Sequence, residues 1–214
     1  MPEFLFAGTA EVDITPEPGL AMDGYMGRDD VSLGTHDPLM AQVVILRRGS
    51  YQQIIIVTLD VLAVSAVFTD SIRQNLAGAI GTVPEAVIIC PSHTHCGPRG
   101  LQTWFPIGEA PQLDLHLVDF IHARLMAAAH RAHDQMEAVQ LVWRSGEVSD
   151  IGGDRNQPGV PVDLQVTILC CERLDGSIKC ILFHYACHPT VLGANTRYYS
   201  ADYIGVARTY LQAA

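Results

Sequence analysis

The sequence predicts a mixed α/β fold, a mixed β-sheet with flanking helices. Three patterns carry that expectation. Apolar runs with strand character recur along the chain, two pairs of them are separated by turn residues of the hairpin kind, and two stretches between them space their apolar residues as helices do. The chain has 214 residues, 49% of them hydrophobic, enough to bury a sizeable core. No internal repeat, low-complexity tract or linker interrupts it, so residues 1–214 are expected to form a single domain.

Taken in order, residues 6–14 read as a first strand, stopped by Thr15-Pro16-Glu17-Pro18-Gly19. A loop rich in Gly and Asp spans residues 23–38. Strands are expected at 41–46 and 53–59, joined by Arg47-Arg48-Gly49-Ser50, and the run Ile54-Ile55-Ile56-Val57 predicts a central strand covered on both faces. Residues 68–80 fit a helix ending at Gly81, and 86–90 a buried strand whose end delivers Ser92-His93-Thr94-His95. A long amphipathic helix over 113–135 places Leu113, Leu117, Ile121, Leu125 and Ala128 on one stripe. Strands follow at 138–143, 163–171 and 177–185, the last two joined by Leu174-Asp175-Gly176. A final helix over 202–211 takes Ser200 as its N-cap.

A formal net charge of −10 and a pI near 5.2 exclude a polyanionic partner such as nucleic acid, which draws on clustered Lys and Arg. The longest apolar stretch, residues 54–68, is too short for a bilayer and is broken by Thr58, Asp60 and Ser65, so no transmembrane segment is expected. No signal peptide is visible at the start, and a cytoplasmic protein is the expectation. Cys90, Cys96, Cys170, Cys171, Cys180 and Cys187 form no C-x-x-C pair and read as reduced packing residues, with Cys96 the exception in that its two histidine neighbours leave a functional role open beside packing.

Chemistry concentrates at two strand ends. In Cys90-Pro91-Ser92-His93-Thr94-His95-Cys96-Gly97-Pro98, an extended backbone would project His93 and His95 to one face, and paired imidazoles suit zinc and similar ions. A second cluster, Phe183-His184-Tyr185-Ala186-Cys187-His188-Pro189-Thr190, again ends an apolar strand. There His188 is the better ligand candidate, with His184 read as a core residue or a support behind the ligands. The two strand ends could meet at one sheet edge, giving a metal site at strand ends. A catalytic zinc takes three protein ligands and a water, so His95 is a possible third; Asp37, Asp60 and His36 could also reach the site, or further ligands could lie beyond Ala214. No G-x-S-x-G elbow, phosphate loop or dinucleotide fingerprint occurs, which leaves metal-assisted hydrolysis standing.

Six motifs then form an ordered series: Gly8-Thr9-Ala10-Glu11-Val12-Asp13-Ile14-Thr15-Pro16, Met22-Asp23-Gly24-Tyr25, His93-Thr94-His95-Cys96-Gly97-Pro98, Asp154-Arg155-Asn156, His188-Pro189-Thr190 and Ser200-Ala201-Asp202-Tyr203. In order and approximate spacing they resemble the neutral (alkaline, non-lysosomal) ceramidase family over nearly the whole chain. The resemblance implies a zinc amidase that splits the N-acyl bond of ceramide into sphingosine and a fatty acid, with one zinc ion per site. Carried over by position, His93 and His188 would be metal ligands, His95 would lie beside the reacting amide, and Arg155 would contact the substrate or the oxyanion. The family places its other two ligands, a Glu and a Tyr, downstream of the second His, which implies that these residues form the N-terminal part of a longer catalytic domain. Arg99 stands where the family favours a small residue, Cys96 where it often has Ser, and Asp154 where an Asn is usual.

The stretch Leu101-Gln102-Thr103-Trp104-Phe105-Pro106-Ile107 offers Trp104 and Phe105 as apolar substrate contacts, and residues 23–37 could cover the site. The expected partner is a small-molecule or lipid amide substrate. Two other readings compete: a hydrolase of a different small amide or ester, and a metal-binding domain without turnover.

Overall fold

The computed structural model describes residues 5–49, 52–103 and 112–213. Among them, seven strands build one mixed sheet. They are β1 (Leu5–Asp13), β3 (Met40–Arg48), β4 (Gln52–Leu59), β5 (Val87–Pro91), β6 (Glu137–Glu147), β7 (Gln165–Arg173) and β8 (Ile178–Tyr185), in the spatial order β5-β4-β3-β1-β6-β7-β8. Only β4 and β5 pair in parallel; every other neighbouring pair in this sheet is antiparallel. The hairpin between β3 and β4 is tighter than expected, because Arg47 and Arg48 still pair with Gln53 and Gln52 and only Gly49, at φ 61°, begins the turn. Two further short strands, β2 (Gly34–Thr35) and β9 (Tyr198–Tyr199), pair in parallel and tie the early loop to the start of the last helix.

Helices α1 (Ala66–Ile80) and α2 (Leu115–Asp134) cover one face of the sheet. Ser65 caps α1 by accepting the Phe68 N–H at 3.1 Å, and Gly81 ends it at φ 81°, a conformation glycine adopts without a steric penalty. Asp114 caps α2 by accepting the Leu117 N–H at 3.1 Å. The predicted stripe is buried at Leu117, Ile121, Leu125 and Ala128, while Leu113 falls just before the helix. Gly8 of β1 lets α2 lie against the sheet: a Cβ there would sit 1.9 Å from the Ala132 carbonyl oxygen.

The strand β4 corrects an expectation. Ile55, Val57 and Leu59 are buried under the helices, but Ile54, on the opposite face, is 44% exposed. A second apolar cluster forms on that opposite face from Ala7, Val44, Leu46, Val139 and Cys171, with Leu5, Ile56, Cys180 and Leu182 against it. Strands β1, β3, β6, β7 and β8 all contribute, so the β6 to β8 wing curls back across the face that the helices leave open. The curl reaches part of the sheet and leaves Ile54 and Ile88 beyond it.

The last helix, α3 (Asp202–Ala213), is pinned to the end of β4 by a buried ion pair, Arg208 Nη2 to Asp60 Oδ2 at 2.7 Å. Among the described residues no helix is long and apolar enough to cross a membrane.

Candidate functional site

Strands β5 and β8 are the two outer edges of the sheet, so the histidine loops that follow them start from opposite sides. They nevertheless meet. One ring nitrogen each from His93, His95 and His188 lies within 4.8 Å of the others, with His93 and His188 exposed and His95 buried behind them. The His93 and His188 rings stack at 5.0 Å between centroids, and His95 meets each of them edge-on, at 5.1 and 4.5 Å.

The route to this geometry differs from the extended one expected. His93 sits at φ 67°, in the left-handed region that a non-glycine residue seldom occupies, so a turn brings the two imidazoles together and not strand alternation. Backbone bonds hold that turn, from Ser92 N–H to the Leu59 oxygen at 2.8 Å and from His93 N–H to the Val61 oxygen at 3.0 Å.

The motif Ser200-Ala201-Asp202-Tyr203 fastens the two loops to each other. Thr94 Oγ1 donates to the Ser200 oxygen at 2.7 Å, and the Ser200 N–H to the Cys96 oxygen at 3.1 Å. On the other side, the buried Asp202 carboxylate accepts the Leu192 N–H at 3.0 Å, and the Tyr203 hydroxyl donates to the Cys187 oxygen at 2.8 Å. Ser200 accepts the Asp202 N–H at 2.9 Å, but it stands one residue before the capping position of a helix that starts at Asp202, and Asp202 itself lies in the left-handed region at φ 57°.

The donor set fits a metal of the zinc kind. His93 Nδ1 lies 2.9 Å from the Leu62 carbonyl oxygen, which can only accept, so Nδ1 carries the proton and Nε2 presents a lone pair. His95 Nε2 and His188 Nε2 face each other at 2.7 Å, hydrogen-bonding distance, so the two rings turn the same atom toward one point. Burial, then the charges of His188, His93, Arg28 and Arg155, push the His95 pKa down to about 4; burial likewise lowers that of His188. Both shifts favour the neutral ring, the form that a metal ligand or a proton acceptor requires.

The shift at His95 has a stability consequence. An unfolded imidazole takes up a proton near pH 6.5 and the folded His95 only near about 4, so unfolding is coupled to proton uptake between these values. The stability that His95 lends is complete above pH 6.5 and is lost as pH falls toward about 4. Chemical denaturation of the metal-free chain is expected to show this loss relative to His95→Gln across that window; parallel pH profiles for the two proteins would contradict it.

Other expected residues fall at varying distances from the centre. Arg155 is exposed on the loop between β6 and β7, near enough for its charge to lower the pKa of His95 and His188. His184 is not a core or supporting residue: it lies exposed on β8. Asp37 is committed to Ser200 Oγ and, at 2.8 Å, to the Ala201 N–H, Asp60 to Arg208, and the exposed His36 to Asp37, so none of them joins the cluster. Trp104 and Phe105 lie outside the described residues. All six cysteines are free; Cys96 is buried, which pushes its thiol up to about 11, whereas Cys90 is exposed. The early loop does reach the site: the Tyr25 ring meets His95 edge-on at 4.9 Å, and its hydroxyl donates to the Leu192 oxygen at 2.7 Å.

Comparison with known proteins follows the same lines. The N-terminal model of the neutral/alkaline non-lysosomal ceramidases matches residues 5–214. The fold is that of a neutral ceramidase from Pseudomonas aeruginosa, at a TM-score of 0.86 and 19% identity, over 97% of this chain and 35% of that one. A ceramidase complexed with C2 matches at a TM-score of 0.79 and 19% identity, over 96% of this chain and 34% of that one. The chain thus spans about a third of the length of the solved ceramidases it matches. No curated protein matches it in sequence. On the strength of a family match that runs through both histidine loops and the motif joining them, the chain belongs to the neutral/alkaline non-lysosomal ceramidase family.

Proposed function

We propose that this chain carries the zinc-binding part of an amide hydrolase that cleaves the N-acyl bond of a ceramide-like lipid to a sphingoid base and a fatty acid. Residues 1–214 are, on this reading, the N-terminal part of a longer catalytic domain. The observation that carries the proposal is the meeting of His93, His95 and His188 within 4.8 Å in a chain of the ceramidase family.

His93 and His188 would hold the ion through Nε2, His93 with its ring already oriented by the Leu62 carbonyl. Bound there, zinc would supply a Lewis acid and a water of lowered pKa. His95, buried and neutral at pH 7, would take a proton at Nε2 from the attacking water and return it to the leaving amine nitrogen. The Arg155 guanidinium, whose charge acts on both His95 and His188, would orient the acyl carbonyl and stabilise the negative charge that develops on its oxygen.

The complete native protein is the material for the test, assayed against ceramides with short and long N-acyl chains and against a short-chain ester. Amide cleavage is expected to rise by about tenfold or more from the short to the long acyl chain, since each buried methylene contributes about 0.8 kcal/mol. Turnover of the ester alone, or amide turnover independent of chain length, would contradict the ceramide-like substrate.

A further inference from the structure

We infer that Arg28 is a positioning residue for the metal centre, holding His95 in place by gripping its backbone carbonyl from the early loop. This role rests on the metal-site reading above.

Arg28 is 5% exposed, and burying a guanidinium carries a desolvation cost that its contacts must offset. Those contacts go to the site. Nη2 donates to the His95 carbonyl oxygen at 2.7 Å, 67 residues away in sequence, and also to the Asp23 carbonyl oxygen, so one nitrogen joins the early loop to the His95 segment. The guanidinium also lies over the Tyr25 ring at 5.0 Å, and that ring in turn meets the edge of the His95 imidazole.

The rest of the loop is laced to the same segment. The Asp23 N–H donates to the Gly97 oxygen at 3.0 Å, and the Asp23 carboxylate accepts from Gln102 Nε2 at 2.6 Å and from the Gly24 N–H at 3.0 Å. Gly24, at φ 106°, lies flat on the His95 ring, where a Cβ would come within 2.6 Å of Cγ. His95 is therefore enclosed on the side away from His188 by backbone and by Tyr25, and Arg28 fastens that enclosure to the His95 main chain. A lysine keeps the charge but lacks the planar guanidinium that lies over the Tyr25 ring while Nη2 donates to the two carbonyls.

The test uses cobalt(II) as the probe with the full chain, comparing wild type, Arg28→Gln, Arg28→Lys and a control, Arg144→Gln, which breaks an exposed ion pair to Glu172. Circular dichroism reports folding, titration gives the affinity, and visible absorption reports the coordination geometry. Both Arg28 variants are expected to fold, to bind cobalt about 10–100-fold more weakly and to show an altered visible spectrum, the range seen when groups that orient metal ligands are removed. The control keeps the wild-type affinity and spectrum. Wild-type affinity and spectrum in both Arg28 variants would overturn the role, and so would loss of folding in both, which would make Arg28 a folding residue. Absence of cobalt binding by the wild type is a separate result: it overturns the metal reading and the role with it.

Discussion

Replacing His93 or His188 by alanine is expected to weaken zinc binding by about 100-fold or more, beyond the effect of removing a group that merely orients a ligand. The two residues are reached from opposite edges of the sheet, yet their rings stack at 5.0 Å and both face His95. Neither is buried, so truncation to alanine leaves no core cavity and the variants should fold as the wild type does. His184→Ala supplies the comparison: it lies on the same strand that leads to His188 but is exposed and outside the cluster, and zinc affinity should be unchanged. Calorimetric titration of the three variants checks this. Full affinity in His188→Ala would mean that the two loops do not serve one ion.

The second large effect concerns the fold that delivers the loops. Gly8→Ala is expected to destabilise the protein by about 3 kcal/mol, a fall in Tm of roughly 6–12 °C for a chain of this size. The sign is informative, because alanine in a strand interior ordinarily stabilises relative to glycine by roughly 0.5–1 kcal/mol. Here the added Cβ would meet backbone, the Ala132 oxygen at 1.9 Å and carbon at 2.8 Å, and a backbone cannot turn aside as a flexible side chain can. Helix α2 would have to lift from β1 and β3, separating Ala129 and Ala132 from the core they fill. Thermal unfolding measures the effect; a variant as stable as the wild type would show that helix and sheet are not in van der Waals contact at this point.

Local pattern was enough to find the seven strands of the main sheet, the helices and the two histidine loops, though not the short strands β2 and β9. The stripe from Leu117 to Ala128, the Gly81 stop and the hairpin at Leu174-Asp175-Gly176 depend on residues a few positions apart, and they appear where periodicity and turn chemistry place them. What the sequence did not disclose depends on distant partners. The pattern Ile54-Ile55-Ile56-Val57 is equally hydrophobic on both sides, and only the partial reach of the β6 to β8 wing leaves Ile54 exposed. The turn at His93 is fixed by carbonyls of Leu59 and Val61 about thirty positions earlier, so the expectation of an extended His93 to His95 segment failed.

The site was legible in the same measure. His93, His95 and His188 could be named because their residue type and their place after apolar strands are local features. Asp202 and Arg28 could not be assigned their parts, since Asp202 acts on the backbone at Val191 and Leu192 and Arg28 on the backbone at His95. A buried charged residue in a glycine-rich loop has no sequence signature apart from its motif. His184 shows the converse: its place in an apolar strand suggested burial, but it belongs to the edge strand β8 and points to solvent.

X-ray absorption at the zinc edge of the zinc-loaded protein tests the central claim most directly. The account predicts nitrogen and oxygen neighbours at about 2.0–2.1 Å, with outer-shell scattering from at least two imidazoles. A sulfur shell at about 2.3 Å, or a spectrum without imidazole scattering, would contradict a zinc ion held by His93 and His188.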